Sequence, residues 1–276
     1  MRTAARWVLD HPDDVALLSM RDQARRAGVP PATLTRLAQR LGFKGFDDVR
    51  RSFAASVRRQ PESFHGRAEE LIARRADAGD GALAHDIIST LAQHHERLLE
   101  PANLAAIAEA ARLLAAANRV YCVGLRSSFP MAYLFHYVRA LIGDASVLID
   151  GAGGTGIDAL RTVGGADAVL AISVHPYTRL TVEAIEFARR RNATIIVVTD
   201  SIVSPLARAA NAAVIVGTET PSFFHTMSPA FSVIECLAAL TAARKGRAAL
   251  QALSASEDQL TAFDTYLDQK PKRPSP

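Results

Sequence analysis

The sequence predicts a small all-α N-terminal domain joined to an α/β domain with a doubly wound, five-stranded parallel sheet. Residues 17–59 show only helical periodicity, whereas strand-like runs alternate with helix-like runs from residue 119 onward. The 276 residues are 49% hydrophobic and 22% charged, an ordinary globular composition for one large or two medium-sized domains. We therefore expect one domain over 1–59, a linker over 60–81, a second domain over 82–268 and a disordered tail over 269–276.

Positive charge is concentrated at the N-terminal end of the chain. Residues 1–60 contain 12 Lys and Arg against 6 Asp and Glu, a net charge of +6, which leaves −2 for the remainder of a chain whose total is +4. A small basic segment beside a nearly neutral larger one suggests a nucleic-acid reader with a separate second domain. Basic termini are often merely solvated, so the interpretation also needs a motif.

The first helix of this segment is predicted over residues 20–27. Ser19 is a suitable N-cap, because its hydroxyl can accept a hydrogen bond from a free N–H of the first turn, and Asp22 stands at the third helical position. Gly28 supplies the stop, since glycine readily adopts the conformation that ends a helix.

A second helix is predicted from Ala32 to Leu41, with a stop at Gly42. Pro30 and Pro31 open it, where a missing N–H costs nothing. Its apolar positions have helical spacing and should be buried: Leu34, Leu37, Ala38 and Leu41. The exposed face, its flanks and the following turn form the candidate DNA-contacting set, which consists of Pro31, Ala32, Thr33, Thr35, Arg36, Gln39, Arg40 and Lys44.

Such a face on the second helix after a glycine turn is typical of a helix-turn-helix that reads double-stranded DNA. Arg can bond guanine edges, Gln can bond adenine edges, and Thr can contact phosphates or a thymine methyl group. The solvated face of a small helical bundle would show the same pattern, and the positive charge of the segment favours the DNA reader.

Residues 17–46 resemble the helix-turn-helix of RpiR-type bacterial transcriptional regulators. The shared features are Ala24, Gly28, Val29, the Ala-Thr-Leu-x-Arg of 32–36 and the Leu-Gly-Phe-x-Gly-Phe of 41–46. The chain departs from the family at Pro30, where Ser and its hydroxyl cap are usual, and in a short segment before Val15. Helix-turn-helix readers generally bind palindromic sites as dimers, which implies a homo-oligomer, dimer or tetramer.

The middle of the chain is predicted to be helical on either side of the linker. A basic helix continues over 47–59, the linker over 60–81 is marked by proline and glycines, and helical patterns resume over 82–99 and 101–117. In the last of these, Leu104, Ile107, Ala108, Ala111 and Leu114 form one apolar stripe. His94 and His95 are adjacent and should point to different faces, so a solvated helix is favoured over a metal site, and no metal or cofactor is expected.

The second domain is predicted to contain five parallel strands at 119–123, 145–149, 168–173, 194–199 and 212–216. Helical patterns occupy about 129–142, 155–163, 179–191, 204–210 and 229–245. Ligands of such sheets lie beyond the carboxyl ends of the strands. There the first strand runs into Gly124, Arg126, Ser127 and Ser128, and the third into Ser173, His175, Tyr177, Thr178 and Arg179.

These two loops are candidates for an anion site. A helix N-terminus offers free N–H groups and the positive end of its dipole, and serine and threonine add donors without charge. Arg126 and Arg179 could add positive charge or remain on the surface. Any one hydroxyl at a helix start is more often a structural cap, so the prediction rests on several of them converging at one sheet edge.

Residues 104–245 resemble the sugar isomerase (SIS) domain, which in RpiR-type regulators binds phosphosugars. The Gly124-x-x-Ser127-Ser128 loop fits the first-strand motif, whereas His175 and Pro176 replace the Ser and Gly of the family's Ser-x-Ser-Gly-x-Thr loop. The Asp200-Ser-x-x-Ser-Pro-Leu run and Glu235 also look like the family. The resemblance implies a small anionic metabolite, such as a phosphosugar, at Gly124, Arg126, Ser127, Ser128, Ser173, His175, Tyr177, Thr178 and Glu235.

Two other functions remain open at this point. A phosphosugar isomerase on the same fold would need a base, for which Glu235, Glu219, His175 and His225 are candidates, although no recognisable motif pairs any of them. A dimeric scaffold with a vestigial pocket is the third possibility, and helices 82–99 and 229–245 are candidate dimer surfaces. A regulator without catalytic residues is favoured.

The remaining features indicate a cytoplasmic protein. Cys122 and Cys236 both lie in apolar runs, which predicts two buried thiols in a reducing compartment. No apolar run reaches the roughly 18 residues of a membrane span, and no signal peptide is visible, so no membrane partner is expected.

Overall fold

The computed structural model describes residues 1–40, 43–58 and 64–267, which form two compact units. The first comprises residues 1–83 with 222–224, and the second comprises 84–221 with the described residues from 225 onward. The predicted tail over 269–276 lies outside the described residues. The first unit begins with helices α1 (Arg2–Asp10), α2 (Pro12–Leu17), α3 (Met20–Arg26), α4 (Pro31–Arg40) and α5 (Phe46–Arg58).

The turn between α3 and α4 follows from the residues predicted to form it. The Ser19 hydroxyl accepts the backbone N–H of Asp22 at 3.2 Å, and Gly28 has φ 64° directly after the helix. Leu34, Leu37 and Ala38 of α4 are buried in the core of this unit, as their spacing predicted. The expected last core residue of α4, Leu41, and the stop at Gly42 lie outside the described residues.

Most of the segment predicted as a linker is helical. Helix α6 (Phe64–Leu98) covers it from residue 64 onward, with one non-helical residue at Gly79, which has φ 80° and ψ 169°. Gly66 and Gly81 lie within the helix, because a glycine costs an exposed helix only about 1 kcal/mol and does not by itself end it. Residues 59–63, where the linker was expected to begin, are not described.

The second unit contains a parallel sheet of β1 (Val120–Gly124), β2 (Ser146–Ile149), β3 (Ala168–Ile172), β4 (Thr194–Thr199) and β5 (Ala212–Ile215) in the order β2-β1-β3-β4-β5. All four strand pairs are parallel, and Gly124 lies opposite Ile172. This confirms the predicted fold class. The strand order reverses between β1 and β3, so their carboxyl ends flank the switch point where such sheets bind ligands.

Helices cover both faces of the sheet. One core joins the sheet to α7 (Pro101–Ala116), α8 (Phe129–Leu141) and α11 (Ser228–Lys245). The other joins the sheet to α9 (Arg179–Arg190), α10 (Pro205–Ala209) and the 3-10 helix Gly156–Thr162. Helix α12 (Arg247–Ala262), which the sequence analysis did not identify, follows α11. Nearly continuous apolar strands form the centre because both of their faces are covered.

Three sequence predictions about burial were wrong. In the stripe on α7, Ile107, Ala111 and Leu114 are buried, whereas Leu104 and Ala108 are exposed. Cys236 is also exposed, because the buried positions of α11 lie on its other side. Apolar periodicity identifies a helix but does not establish how wide its covered face is.

Among the described residues, no helix is both long and apolar enough to cross a membrane.

Candidate functional site

The predicted DNA-contacting face of α4 is accessible. Pro31, Ala32, Arg36, Gln39 and Arg40 are exposed, while the intervening apolar residues are buried. The separation follows from the 3.6-residue period of the helix, which places these side chains opposite the core. Lys44 in the following turn is exposed as well.

The two threonines of α4 lie in different surroundings. Thr33 helps to line an open recess of about 420 Å³ together with Met1, Arg36, Gln39 and Arg40. Thr35 instead donates its hydroxyl to the sulfur of Met20 at 3.6 Å. Thr33 is therefore the better placed of the two for a phosphate or base contact, whereas Thr35 links α4 to α3.

Gly124 makes the turn after β1 possible. A Cβ at this position would lie 2.5 Å from the carbonyl oxygen of Ser128 and 3.0 Å from the Cβ of Ala132. The backbone therefore turns directly into the 3-10 helix Arg126–Ser128 and then into α8. The close packing needs glycine, and it sets the following residues at the carboxyl edge of the sheet.

Arg126 and Ser127 are the accessible groups of this first-strand loop. Arg126 is exposed and has φ 57°, a left-handed conformation that side chains other than glycine rarely adopt. Ser127 is half-buried, and its Oγ lies 2.9 Å from Nε2 of His225. Ser128 is buried, so its side chain is less accessible to a ligand than predicted.

His225 is the residue that the sequence analysis underestimated. It was considered only as a possible base, whereas the structure places it on Ser127, 98 positions away along the chain. The sequence offers no signal for this contact, because β5 and β1 are separated by two strands in the sheet and only the long β5–α11 connection brings His225 back.

The third-strand loop differs from the first in how its donors are used. The N–H of His175 donates to Oδ2 of Asp200 at 3.2 Å, and the N–H of Thr178 donates to Oγ of the buried Ser173 at 3.2 Å. Pro176 has no N–H. Three of the groups that could have cradled an anion are thus absent or already bonded.

A carboxylate and a phenol occupy this loop. Asp200 follows β4 and also hydrogen-bonds Tyr177, and the edge of the His175 ring lies against the Tyr177 ring with centroids 5.8 Å apart. Burial raises the pKa of Tyr177, and the neighbouring Asp200 charge and hydrogen bond raise it further. The phenol is therefore neutral at pH 7 and presents a polar surface to a ligand beside the first-strand loop.

The remaining predicted residue does not join either loop. Glu235 is exposed on α11, and no described hydrogen bond or ion pair connects it to the strand-end loops. Glu219 is exposed too, and its backbone carbonyl accepts a hydrogen bond from His94. Within residues 1–40, 43–58 and 64–267, no group of three or more His, Cys, Asp or Glu side chains could hold a metal ion.

Comparison with known proteins identifies both parts of the chain. Residues 2–60 match the helix-turn-helix domain of the rpiR family, and residues 113–240 match the SIS domain. An uncharacterised HTH-type transcriptional regulator of Caldanaerobacter subterraneus subsp. tengcongensis is 26% identical over 225 residues, which cover 79% of this chain and 75% of that relative. A similarly named protein of Haemophilus influenzae is 23% identical over 214 residues, or 77% of this chain and 73% of the relative.

Two solved structures share the fold. The sugar isomerase domain of an RpiR transcription factor from Sphaerobacter thermophilus has a TM-score of 0.59 and 24% identity, and covers 64% of this chain and 98% of its own. The Vibrio vulnificus NanR protein complexed with ManNAc-6P has a TM-score of 0.54 and 18% identity, and covers 95% of this chain and 92% of its own. The chain therefore belongs to the RpiR-type transcriptional regulators, with an N-terminal helix-turn-helix and a C-terminal SIS domain.

Proposed function

We propose that this regulator binds operator DNA through α4 and senses an anionic metabolite, of the phosphosugar class, at the loop after β1. The observation that carries the effector assignment is the Ser127–His225 pair at the carboxyl end of β1, beside the switch point of the sheet. The exposed polar face of α4 and the charge of +6 over residues 1–60 support the DNA assignment.

The chemistry of the first-strand loop suits a phosphate group. Ser127 supplies a hydroxyl, the imidazole of His225 supplies a second polar atom, and Arg126 adds an exposed guanidinium at the start of a helix. A charge-assisted hydrogen bond to such an oxygen contributes about 1.5–3 kcal/mol. The neighbour crystallised with ManNAc-6P binds a sugar phosphate on the same fold, which supports this ligand class.

The third-strand loop would then contact the part of the ligand that is not phosphate. Its N–H groups are engaged by Asp200 and Ser173, which leaves the phenol of Tyr177 and the imidazole of His175 to meet sugar hydroxyls. We retain Gly124, Arg126, Ser127, Ser173, His175, Tyr177 and Thr178 as the proposed effector set, with Ser128 in a supporting position.

The proposal also concerns assembly and location. Helix-turn-helix readers bind two half-sites through symmetric dimers, so we expect a homodimer or a dimer of dimers. Because bacterial operator DNA lies in the cytoplasm, the same function implies a cytoplasmic protein.

A two-arm experiment tests the proposal. Arg36→Ala with Arg40→Ala should reduce binding to a duplex selected in vitro with the wild-type chain by about tenfold or more, since each base-edge contact contributes about 1–3 kcal/mol. Ser127→Ala should abolish the rise in melting temperature that sugar phosphates cause. Each change should leave the other activity intact.

Matched controls separate these effects from general damage. Arg189→Ala with Arg190→Ala removes the same charge from the exposed face of α9, and Ser254→Ala removes an exposed hydroxyl from α12. Unchanged DNA affinity in the α4 variant would remove α4 as the reader. A thermal shift that survives Ser127→Ala would place the effector elsewhere.

A further inference from the structure

The loop that carries His225 is closed at its base. The N–H of Thr226 donates to the carbonyl oxygen of Thr218 at 3.0 Å, and the hydroxyl of Thr226 accepts the N–H of Ser228 at 3.2 Å. His225 is the residue next to Thr226, so its position on Ser127 depends directly on this neck. Whatever holds the neck in place also holds the imidazole at the first-strand loop.

His94 of α6 holds one side of the neck. Its side chain is buried, and its Nε2 lies 2.7 Å from the backbone oxygen of Glu219, the residue that follows Thr218. Since a carbonyl oxygen only accepts, Nε2 carries the hydrogen of this bond. A side chain of the long helix is thus bonded to the backbone of the β5–α11 loop.

Gly217 shows how closely the ring and the loop are packed. A Cβ on Gly217 would lie 2.0 Å from Nδ1 and 2.5 Å from Cε1 of His94, so any other residue would displace the ring. Nδ1 itself is buried and has no hydrogen-bond partner among the described residues. A buried polar atom without a partner costs about 1–3 kcal/mol, and hydrogen bonding alone therefore does not account for a histidine here.

His95 holds the other end of the same loop. Its Nδ1 lies 2.7 Å from the carbonyl oxygen of Leu91 within α6, and its Nε2 lies 2.9 Å from Oγ of Ser232 in the first turns of α11. Adjacent residues of a helix point in different directions, so the two histidines reach the two ends of the loop. Together they bond α6 to both residues that precede the loop tip and residues that follow it.

We propose that His94 is a positioning residue of the effector site, which ties the neck of the 217–227 loop to α6 and couples occupancy of the first-strand loop to the order of α6. This inference rests on the proposed function. An anion bound at Ser127 competes for the hydroxyl that His225 now contacts, and a changed His225 alters the adjoining neck. Helix α6 is the segment through which the chain continues from the DNA-reading domain, so the coupling reaches the element that an effector must influence.

Hydrogen–deuterium exchange of the full-length protein tests the coupling, with inorganic phosphate as the probe and ionic strength matched with sodium chloride. In the wild-type chain, saturating phosphate should slow exchange at 124–128, at 225–228 and at 88–98. The effect at 88–98 should be about fivefold or more, the lower end of ordinary coupling between sites. With His94→Leu, protection should persist at 124–128 and disappear at 88–98.

Two further variants approach the same contact differently. Gly217→Ala should reproduce the His94→Leu result by displacing the ring, whereas Gly164→Ala, where a Cβ meets nothing within 4 Å, should behave as wild type. His94→Gln returns an amide N–H near the position of Nε2 and should restore part of the protection at 88–98. His85→Leu, an exposed histidine on the same helix, is the control for His94→Leu.

The outcomes separate this inference from the function on which it rests. Protection at both 124–128 and 88–98 in His94→Leu and in Gly217→Ala would overturn the coupling and leave the effector site in place. No protection at 124–128 in the wild-type chain would overturn both. If these variants fail to fold, Ser232→Ala decides, because it frees His95 without opening a large cavity. Protection at 88–98 must then fall relative to Ser254→Ala, and unchanged protection counts against the proposal.

Discussion

Arg126 combines a charge with a strained backbone. Its φ of 57° is a conformation that costs a residue with a Cβ about 1–2 kcal/mol, and glycine would adopt it freely. Such strain is concentrated at ligand sites, where the surrounding structure enforces it. In this loop the conformation allows the chain to leave Gly124 and present the Arg126 side chain at the start of α8.

Substitutions of Arg126 should separate charge from strain. Arg126→Gly and Arg126→Ala should both weaken binding of a sugar phosphate about tenfold, since each removes a charge-assisted contact. Arg126→Gly should nevertheless have a free energy of unfolding about 1 kcal/mol higher than Arg126→Ala, because only alanine keeps the strain. Isothermal titration and denaturant unfolding measure the two quantities. Equal stability of the two variants would contradict the strain.

The two cysteines show how residue-level expectations depend on the fold. Burial raises the pKa of the Cys122 thiol to about 12, against the opposing effect of the Arg139 charge, so this thiol is unreactive at neutral pH. Cys236 lies in an equally apolar run but is exposed. Local hydrophobicity therefore identified one buried thiol correctly and the other wrongly.

At the scale of elements, helix α3 shows the strongest agreement between sequence and structure. Ser19 caps it, and the Ser19 hydroxyl also donates to Oδ2 of Asp22 at 2.6 Å. This hydrogen bond lowers the pKa of Asp22, assisted by the charges of Arg25 and Arg26. All of these contacts lie within eight residues, and for that reason the sequence pattern was sufficient to predict the helix start.

Ser19→Ala should lower the free energy of unfolding of the N-terminal unit by about 1 kcal/mol. Because the folded pKa of Asp22 is depressed, the contribution of its interaction is complete above its ordinary pKa of 3.8 and is lost as the pH falls further. The gap between wild type and Ser19→Ala should therefore narrow below pH 3.8. Fluorescence of Trp7, the single tryptophan of the chain, follows this unit, and Ser254→Ala is the control. A gap that widens on acidification would refute the assignment.

At the scale of the whole molecule, charge and topology divide the work between two units. The basic charge lies in the unit that carries α4, and the switch point lies in the nearly neutral one. An operator is a polyanion and a sugar phosphate is a small anion, so the first needs a broad positive field and the second a few directed donors.

The distribution of charge predicts how DNA binding depends on salt. The logarithm of the association constant should fall linearly with the logarithm of salt concentration, and Lys44→Ala should reduce the slope by about 1 if Lys44 contacts one phosphate. Fluorescence anisotropy of a labelled duplex measures both slopes. Arg74→Ala, an exposed charge on α6, is the comparison, and an unchanged slope for Lys44→Ala would exclude that contact.

The sequence by itself determined the features that depend on neighbouring residues. These are the cap at Ser19, the turn at Gly28, the buried face of α4, the five strands and the glycine turn after β1. Each arises from periodicity or from the conformational preference of one residue, and neither needs a distant partner.

Only the tertiary structure decided which distant residues meet. It placed His225 on Ser127, His94 beneath Gly217, and Asp200 against the donors of the third-strand loop. These contacts follow from the strand order β2-β1-β3-β4-β5 and from the path of the connection after β5, and no local pattern encodes either. The sequence thus predicted where an anion should bind, whereas the fold decided which side chains surround that place.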